Sequence, residues 1–273
     1  MKTKILKLGL LAALFSSASA QALVITPGAG DGSALASSIA GAGISVSNVT
    51  YTGADNASGL FSDGTSSGIG IESGVILTSG SAASAVGPNS SSGTSTNNGV
   101  GGSAALTALS GGTTFDASIL SFDFTFDSGI GGDLFVNFVF ASEEYNEFVN
   151  ASFNDVFAFY LNGVNIALLP DASPVSIDTV NLGSNSGLYN DNDNGINDLE
   201  YDGFTDVFYL SALGLGAGTH TMSFEIADSG DGVLDSGVFV QAKSFSNQPV
   251  PEPLGIILLG LGLIGFTVRR KIK

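Results

Sequence analysis

Apolar and polar residues alternate along the second half of the chain. In the stretch ILSFDFTF, the apolar positions of one face are Leu120, Phe122, Phe124 and Phe126. This period of two indicates a strand with one buried face. Seven more such stretches follow between Gly, Asn and Asp turns: DLFVNFVF, NDVFAFYL, VNIALL, PVSIDTV, TDVFYL, THTMSFEI and GVFVQAKS. Many short strands predict a mainly all-β protein, an antiparallel β-sandwich that is jelly-roll-like.

Residues 23–113 are rich in Gly, Ser, Ala, Thr and Asn, which are typical of turns and loops. Within them we predict strands at Ile44–Tyr51 and Val75–Ser79, and short helices at Ser33–Ile39 and Ala104–Leu109. The alternative is a flexible linker. We favour an ordered, loop-rich half, because it contains large apolar side chains to bury: Tyr51, Leu60, Phe61, Ile69, Ile71, Val75 and Leu77.

An apolar segment stands at each end of the chain, and each predicts a helix. The first, in MKTKILKLGLLAALFSSASAQA, has a basic start, an apolar run and small residues before a cut. That order is typical of a secretory signal peptide, here residues 1–22. Small residues at the required spacing place cleavage after Ala20 or Ala22. We therefore expect export through the Sec machinery.

The second apolar segment, Leu254–Val268, contains 15 residues. As a helix it would span about 22 Å, less than the ~30 Å hydrocarbon core of a bilayer. It predicts a thin transmembrane helix followed by a basic tail, residues 269–273. Because basic tails stay in the cytoplasm, we expect the exported domain to be tethered to the inner membrane on its periplasmic side.

Pro251-Glu252-Pro253 precede this helix, and Arg269 and Arg270 follow it. The order and the terminal position resemble the PEP-CTERM sorting signal of Gram-negative bacteria, with residues 246–253 as the linker that carries the motif. The resemblance implies processing by an exosortase, a membrane cysteine protease. It also implies a final location at the cell surface or in the exopolysaccharide matrix of a biofilm.

The exported part of the chain is strongly acidic. Between residues 22 and 250, Lys243 is the only basic residue against 24 acidic ones, a net charge of −23. Such a surface repels nucleic acid and anionic lipid and attracts cations. The absence of Cys excludes disulfides and thiolate metal sites.

One acidic turn has the composition of a calcium site. In ADSGDGVLDSG, the carboxylates of Asp228, Asp231 and Asp235 share a turn that contains glycines. Calcium takes six to eight oxygen ligands, whereas three carboxylates without a cation would repel each other. We expect calcium as the cofactor here. The alternative is a solvated acidic turn.

A second candidate lies in YNDNDNGINDLEYDG, residues 189–203. Its Asn, Gly and Asp residues resemble an EF-hand loop in spacing, but position 12 is Tyr201, where that loop requires Glu. It is therefore not an EF-hand. Asp191, Asp193 and Asp198 remain candidate ligands in a loop of another shape. The alternative is an Asx-rich turn.

A third candidate follows a predicted strand in ASEEYNEF. Glu143 or Glu144, together with Asp155, would complete a cation site near the strand ends. The alternative is structural: Ser142 caps a short helical turn whose positive end favours both glutamates.

The segment FVFASEEYNEFVNASFNDVFAFYLNG, from Phe138 to Gly163, resembles the choice-of-anchor L domain. The likeness extends to VSIDTVN, to ADSGDGVLDSGVFV and to the earlier YTGADNASGLF and SGVILTSG. It covers most of residues 23–245, which we take as one domain. Proteins with this domain share a body and end in different surface-attachment signals. The resemblance therefore implies architecture and location rather than chemistry.

We expect a non-enzymatic surface or matrix protein with no catalytic residues. Its expected partners are the Sec machinery, an exosortase and exopolysaccharide or other surface proteins. No P-loop or dinucleotide fingerprint is present, and the single histidine, His220, lies on an apolar strand face. One alternative is a carbohydrate-binding or adhesive module. The other is a hydrolase of matrix polymers, which would need two carboxyls facing each other across a sugar.

Overall fold

The computed structural model describes residues 22–250, which form two antiparallel β-sheets and two short α-helices. The helices are α1 (Gly32–Ile39) and α2 (Ala104–Ser110). The first sheet contains β1 (Val24–Pro27), β3 (Ser58–Ser62), β4 (Gly74–Thr78), β6 (Gly132–Ser142), β9 (Tyr189–Asp191), β10 (Gly203–Thr205), β11 (Phe208–Leu215) and β13 (Ser236–Gln241). The second contains β2 (Ile44–Thr52), β5 (Thr114–Phe126), β7 (Val156–Leu161), β8 (Val164–Asn165) and β12 (His220–Ser229).

Strand β6 is the centre of the first sheet. One side of it pairs with β13, and the other pairs with β11 along its first half and with β10 at its end. The strand order is β1-β3-β4-β13-β6-β10-β9, with β11 also beside β6. The second sheet has the order β2-β5-β12-β7-β8. All of these strand pairs are antiparallel. The first residue of one strand therefore lies at the same end of the sheet as the last residue of its neighbour.

The two sheets face each other across a core of aromatic side chains. Phe138 of β6 lies 5.5 Å from Phe157 and 4.8 Å from Phe159, both on β7 of the opposite sheet, measured between ring centroids. It also lies 5.4 Å from Phe208 on β11. Ring pairs at such distances add to the free energy of burial. The helix α1 closes this core through Leu35, which is fully buried.

Both sheets are covered on their outer faces as well. Val139 and Phe239 on the outer face of the first sheet pack against Tyr201 and other side chains from connecting segments. Leu106 of α2 packs on the outer face of the second sheet beside Ala158. Strands buried on both faces need apolar residues at consecutive positions, which explains the run FVFA at residues 138–141 of β6.

Most elements predicted from the pattern are confirmed. The strands around ILSFDFTF, DLFVNFVF, NDVFAFYL, TDVFYL, THTMSFEI and GVFVQAKS are present, as are both helices and the strands β2 and β4. The prediction of a mainly β, antiparallel fold with two short helices is therefore correct. VNIALL forms only the two-residue strand β8. The jelly-roll likeness stays a prediction.

The strand predicted at PVSIDTV is wrong. Only Pro174 forms an isolated bridge, and the residues after it form a turn. The Thr179 hydroxyl donates to the carbonyl oxygen of Pro174 at 2.7 Å and accepts the backbone N–H of Ser176 at 2.9 Å. Such local side-chain bonds offer the backbone an alternative to a sheet.

The signal peptide, the apolar helix at each end, and the sorting residues Pro251, Glu252, Pro253, Arg269 and Arg270 lie outside the described residues, as does Ala20. Ala22 is the first described residue and is exposed. Between residues 22 and 250, neither helix has the length and apolar composition that a membrane span requires.

Replacing Phe138 by alanine should destabilise the domain strongly, because it removes a ring that contacts both sheets and leaves a cavity. We expect a loss of about 3–5 kcal/mol in the free energy of unfolding. Urea unfolding followed by far-UV circular dichroism, at one fixed calcium concentration, measures it. Ile130→Ala is the control, because Ile130 is 84% exposed and should change the same quantity by less than about 0.5 kcal/mol. Equal effects of the two substitutions would contradict the assigned core.

Candidate cation site

Eight acidic side chains are buried at one end of the two sheets. They belong to the ends of β6 and β12, the start of β5, and the residues just before β7, β10 and β13. Antiparallel pairing brings these strand starts and strand ends to the same edge. The eight are Asp116, Glu143, Glu144, Asp155, Glu200, Asp202, Asp228 and Asp235, and each is at most 6% exposed.

The consecutive residues Glu143 and Glu144 point to opposite faces of the first sheet. Just before them, Phe140 faces the core between the sheets and Ala141 faces the outer core. Alternation along the strand predicts Glu144 on the inner side and Glu143 on the outer side. In agreement, Glu144 Oε2 accepts the backbone N–H of Asp155, which precedes β7 of the second sheet, at 2.9 Å.

We name Glu144, Asp155 and Asp228 the inner group. Asp155 Oδ1 accepts the backbone N–H of Ser229 at 3.0 Å, which fixes it against the end of β12. Its Oδ2 is buried and has no hydrogen-bond partner. The Asp228 carboxylate is 1% exposed, and neither of its oxygens has a partner. The Ser79 hydroxyl lies near enough to favour ionisation of Asp228 without forming a hydrogen bond to either oxygen.

We name Glu143, Asp202 and Asp235 the outer group. A Cβ at Gly80 would lie 1.6 Å from Asp235 Oδ2, so the carboxylate occupies the space that only glycine leaves. Asp202 precedes Phe204 by two residues and shares its outer side of the sheet. One oxygen of each carboxyl, Glu143 Oε2, Asp202 Oδ2 and Asp235 Oδ1, is buried without a hydrogen-bond partner.

An extended segment, residues 87–100, crosses the outer group, and we call it the strap. Isolated bridges hold its two ends, Val86 to Leu199 and Gly101 to Phe115. Its residues from 94 to 100 alternate between half-buried and exposed positions. Its bonds to carboxylates run in order along the chain: Asn89 Nδ2 to Asp202 Oδ1 (2.6 Å), Ser90 N to Glu200 Oε2 (3.0 Å), Thr94 Oγ1 to Glu200 Oε1 (2.7 Å), Thr96 N to Asp235 Oδ2 (2.8 Å), and Asn98 N and Val100 N to the two oxygens of Asp116 (2.8 and 2.7 Å).

Burial raises the pKa values of the inner group. It raises the pKa of Glu144 to about 8 and the pKa of Asp228 to about 8, with Asp235 adding to the latter through its charge. The pKa of Asp155 lies well above its usual range, because burial and then the charges of Glu144 and Asp228 oppose its ionisation. Removing a carboxylate from water disfavours its charged form unless a positive charge compensates.

The outer group shows the same effect. Burial, followed by the charges of Asp202, Glu200 and Asp235, raises the pKa of Glu143 to about 10. Burial also raises the pKa of Asp235 to about 7 and the pKa of Asp202 to about 6, although Asn89 donates to the latter.

No side-chain cation compensates these groups. The ammonium of Lys243, the one basic residue between 22 and 250, donates to the Ser37 carbonyl oxygen at 2.8 Å. Within the same residues, no three His, Asp or Glu side chains are arranged so as to hold a metal ion. A cation here would therefore combine one or two carboxylates with carbonyl oxygens or water, a mixture that calcium accepts.

The structure separates the residues predicted as ligands into two sets. Glu143, Glu144, Asp155, Asp228 and Asp235 come together at the buried edge. The remaining ones stay predictions as ligands. Asp191 and Asp193 are exposed and accept bonds from Asn146 Nδ2, and Asp198 is half-buried. Asp231 accepts the backbone N–H of Val233 in a turn, close enough to the inner group for its charge to raise the pKa values of Glu144 and Asp228.

Sequence reasoning missed Asp116, Glu200 and Asp202. Two of these lie in the candidate segment 189–203, but the EF-hand spacing selected other positions. The strand β10, which orients Asp202, has only three residues and follows no alternating pattern long enough to detect. Asp116 is recognised as part of the buried edge only because the backbone N–H groups of Asn98 and Val100 in the strap donate to its carboxylate.

An apolar depression elsewhere on the domain contains no carboxyl. It lies beside β6 and β11 and is lined by Phe138, Ile166, Leu168, Val175, Phe208, Tyr209 and Leu210. It therefore does not supply the two facing carboxyls that a glycosidase needs.

Comparison with protein-family models finds a known domain in this chain. The model of the choice-of-anchor L domain matches residues 30–246, which include every strand of both sheets except β1, the strap and all eight buried acids. The chain belongs to the choice-of-anchor L domain family. Membership indicates a protein that is anchored at the cell surface. No curated protein and no solved structure matches the choice-of-anchor L chain significantly.

In a chelator, the stability of the domain should fall as the pH rises from 5 to 9. In the folded state, the pKa values of Asp202, Asp235, Asp228, Glu144 and Glu143 are about 6 to 10 and the pKa of Asp155 is raised well above its usual range, against about 4 for unfolded carboxyls. Between these limits the folded state binds more protons, so ionisation favours unfolding. Thermal melts in EDTA across this range measure the slope.

Asp228→Asn should make that slope shallower, because the amide resembles the protonated acid and no longer ionises. Asp171→Asn is the matched control. Asp171 is exposed, and hydrogen bonds from Ser173 hold its pKa below its usual range, so it stays ionised from pH 5 to 9. A melting temperature that rises with pH in EDTA would contradict the burial of ionisable carboxyls.

Proposed function

We propose that this protein is a non-enzymatic component of the cell surface or of an exopolysaccharide matrix, whose domain is stabilised by calcium. Asp155 and Asp228 of the inner group are the proposed calcium ligands, and carbonyl oxygens or water would complete the coordination. In this role the ion replaces the protons that the buried carboxyls would otherwise need. The domain then remains folded at neutral pH outside the cell.

The observation that carries the calcium proposal is the carboxylate of Asp228. It is 1% exposed, and both of its oxygens lack a hydrogen-bond partner. A buried carboxylate of this kind costs free energy unless a proton or a cation compensates it. Asp155 contributes a third unpartnered oxygen at the same edge. Calcium prefers oxygen ligands of this type and tolerates irregular geometry.

The segments at the two ends of the chain are proposed to direct its delivery. The signal peptide would direct the protein through the Sec machinery, and the helix at Leu254–Val268 would hold it in the inner membrane. An exosortase would then process the Pro251-Glu252-Pro253 region and release the domain to the surface or the matrix. The basic residues after the helix support this orientation, because they favour the cytoplasmic side.

The non-enzymatic role is supported by the chemistry of the buried edge. Its acids are at most 6% exposed, so a polymeric substrate would have no access to them. The apolar depression near Phe138 has no acidic residue among those lining it. A role in binding acidic polysaccharide would use calcium as a bridge between two negatively charged partners, since direct contact is repulsive.

Millimolar calcium should raise the melting temperature of the full-length protein at pH 7.5, because an ion that binds only the folded state stabilises it. Asp228→Asn should remove most of this increase. Asp171→Asn should preserve it, and Asp231→Asn tests whether the turn residue contributes a ligand. Differential scanning calorimetry with calcium or EDTA measures the shift. Identical melts of the wild-type protein in both solutions would refute the calcium proposal.

The sorting proposal is tested by expressing the whole gene with and without an exosortase and fractionating the cells. We expect a membrane-bound, full-tail form without the enzyme and a shorter, released form with it. Intact mass spectrometry locates both cleavage sites. Replacing Pro251, Glu252 and Pro253 by alanine should reproduce the form seen without exosortase. An uncut membrane protein in both strains would show that the motif is not a sorting signal.

A further inference from the structure

The end of the two sheets opposite the buried acids is closed by three turns. They are residues 127–131 between β5 and β6, residues 162–163 between β7 and β8, and residues 216–219 between β11 and β12. The turns lie at one end because the pairs β5–β12, β12–β7 and β11–β6 are all antiparallel. We call these three turns and the strand residues beside them the exit end.

The exit end carries apolar side chains in contact with solvent. Ile130 is 84% exposed, Leu213 59% and Val164 51%. Ile130 and Leu213 belong to neighbouring segments, because a Cβ at Gly131 would lie 2.2 Å from the carbonyl oxygen of Leu215. Single exposed apolar residues are ordinary on a protein surface, whereas several at one place mark an interaction site.

His220 connects the other two turns. Its Nε2 donates to the carbonyl oxygen of Gly216 at 2.9 Å, and its Nδ1 accepts from Asn162 Nδ2 at 3.0 Å. The turn at 162–163 leads directly into Val164. These hydrogen bonds hold the three turns together, so their apolar side chains lie on one end of the domain.

The chain leaves the domain at the same end. The backbone N–H of Asn247 donates to the carbonyl oxygen of Ala42, and the N–H of Asp127 donates to that of Gly43, both at 3.0 Å. The exit therefore lies beside the turn that contains Ile130. The apolar segment at residues 254–268 begins seven residues after Asn247. Seven extended residues reach at most about 25 Å.

The charge distribution favours the same orientation. The eight buried acids lie at the opposite end. Within the three turns and residues 242–250, the charged residues are Asp127 and Lys243, and Asp133 follows just inside β6. Lys243 is exposed and is the one basic residue between 22 and 250. A membrane surface is negatively charged and repels carboxylates, so this end approaches it with the least repulsion.

We propose that Ile130, Leu213 and Val164 insert into the interfacial region of the bilayer and dock the exit end on the membrane while the chain is tethered. This inference rests on the proposed membrane helix at residues 254–268. Three short apolar side chains would bind a free domain weakly, but the tether gives the domain a high local concentration at the bilayer. The buried acids then face away from the membrane, toward the surrounding solution.

Fluorescence quenching by labelled lipid tests the orientation. The chain contains no Cys, so a single introduced Cys takes a fluorophore at one known place. The full-length protein is placed in phosphatidylcholine nanodiscs that carry a nitroxide on the lipid headgroup. We expect quenching of about threefold for a label at Ala217→Cys, an exposed residue of the exit end. A label at Ser92→Cys, which is exposed in the strap, should keep its full intensity.

Substitutions that preserve charge test the apolar contact. In the Ala217→Cys protein, Ile130→Ser with Leu213→Ser should remove most of the quenching. The matched control is Leu182→Ser with Ile196→Ser, because these side chains are 61% and 79% exposed outside the exit end, and it should leave the quenching unchanged. Far-UV circular dichroism checks folding, and Ile130→Ser alone replaces the double variant if that variant is unfolded.

The outcomes separate docking from tethering. Protein that does not co-purify with the nanodiscs would overturn the proposed tether and the docking together. Protein in the discs with equal quenching at both labels would overturn the docking and leave the tether intact.

Two further results would remove the role of the apolar side chains. One is quenching at Ala217→Cys that survives the serine substitutions at Ile130 and Leu213. The other is a dimer in detergent, measured by sedimentation velocity, that the same substitutions convert to a monomer, because it would assign this surface to a second copy of the chain.

Discussion

The structure depends on how it compensates like charges that are buried together. Eight carboxyl groups lie at one end of the two sheets, and side-chain cations within residues 22–250 do not reach them. Hydrogen bonds satisfy some of them, notably Asp116 and Glu200. The others need protons or cations, because an isolated buried carboxylate is too costly to keep ionised. The free energy of folding therefore depends on the protons or cations that the surrounding solution supplies to these carboxylates.

Antiparallel topology is what concentrates the charge. The ends of β6 and β12 meet the starts of β5, β7, β10 and β13 at the same edge, and acidic residues flank each of these points. The large aromatic core between the sheets offsets the free-energy cost of burying these acids, since Phe138 packs against Phe157 and Phe159 of the opposite sheet. The fold thus places buried ionisable groups at one end of the sheets and apolar packing in the middle.

Alternation of apolar residues was sufficient to predict the long strands and the antiparallel fold, because period two reports directly on a half-buried strand. It failed at PVSIDTV, where the Thr179 hydroxyl bonds to nearby backbone and forms a turn. It also failed to reveal the three-residue strand β10. Both failures have one cause: hydrophobic pattern describes burial, whereas local hydrogen bonds and pairing partners decide the backbone path.

The sequence by itself determined the class of fold, the acidity of residues 22–250 and the selection of Glu143, Glu144, Asp155, Asp228 and Asp235 as candidates. Their types and positions near strand ends were visible in the chain. Only the tertiary structure decided that the two adjacent glutamates serve opposite faces of a sheet, and that residues distant in sequence join each of them. Pairing between strands far apart in the chain creates these neighbours, and no local pattern records which strands will pair.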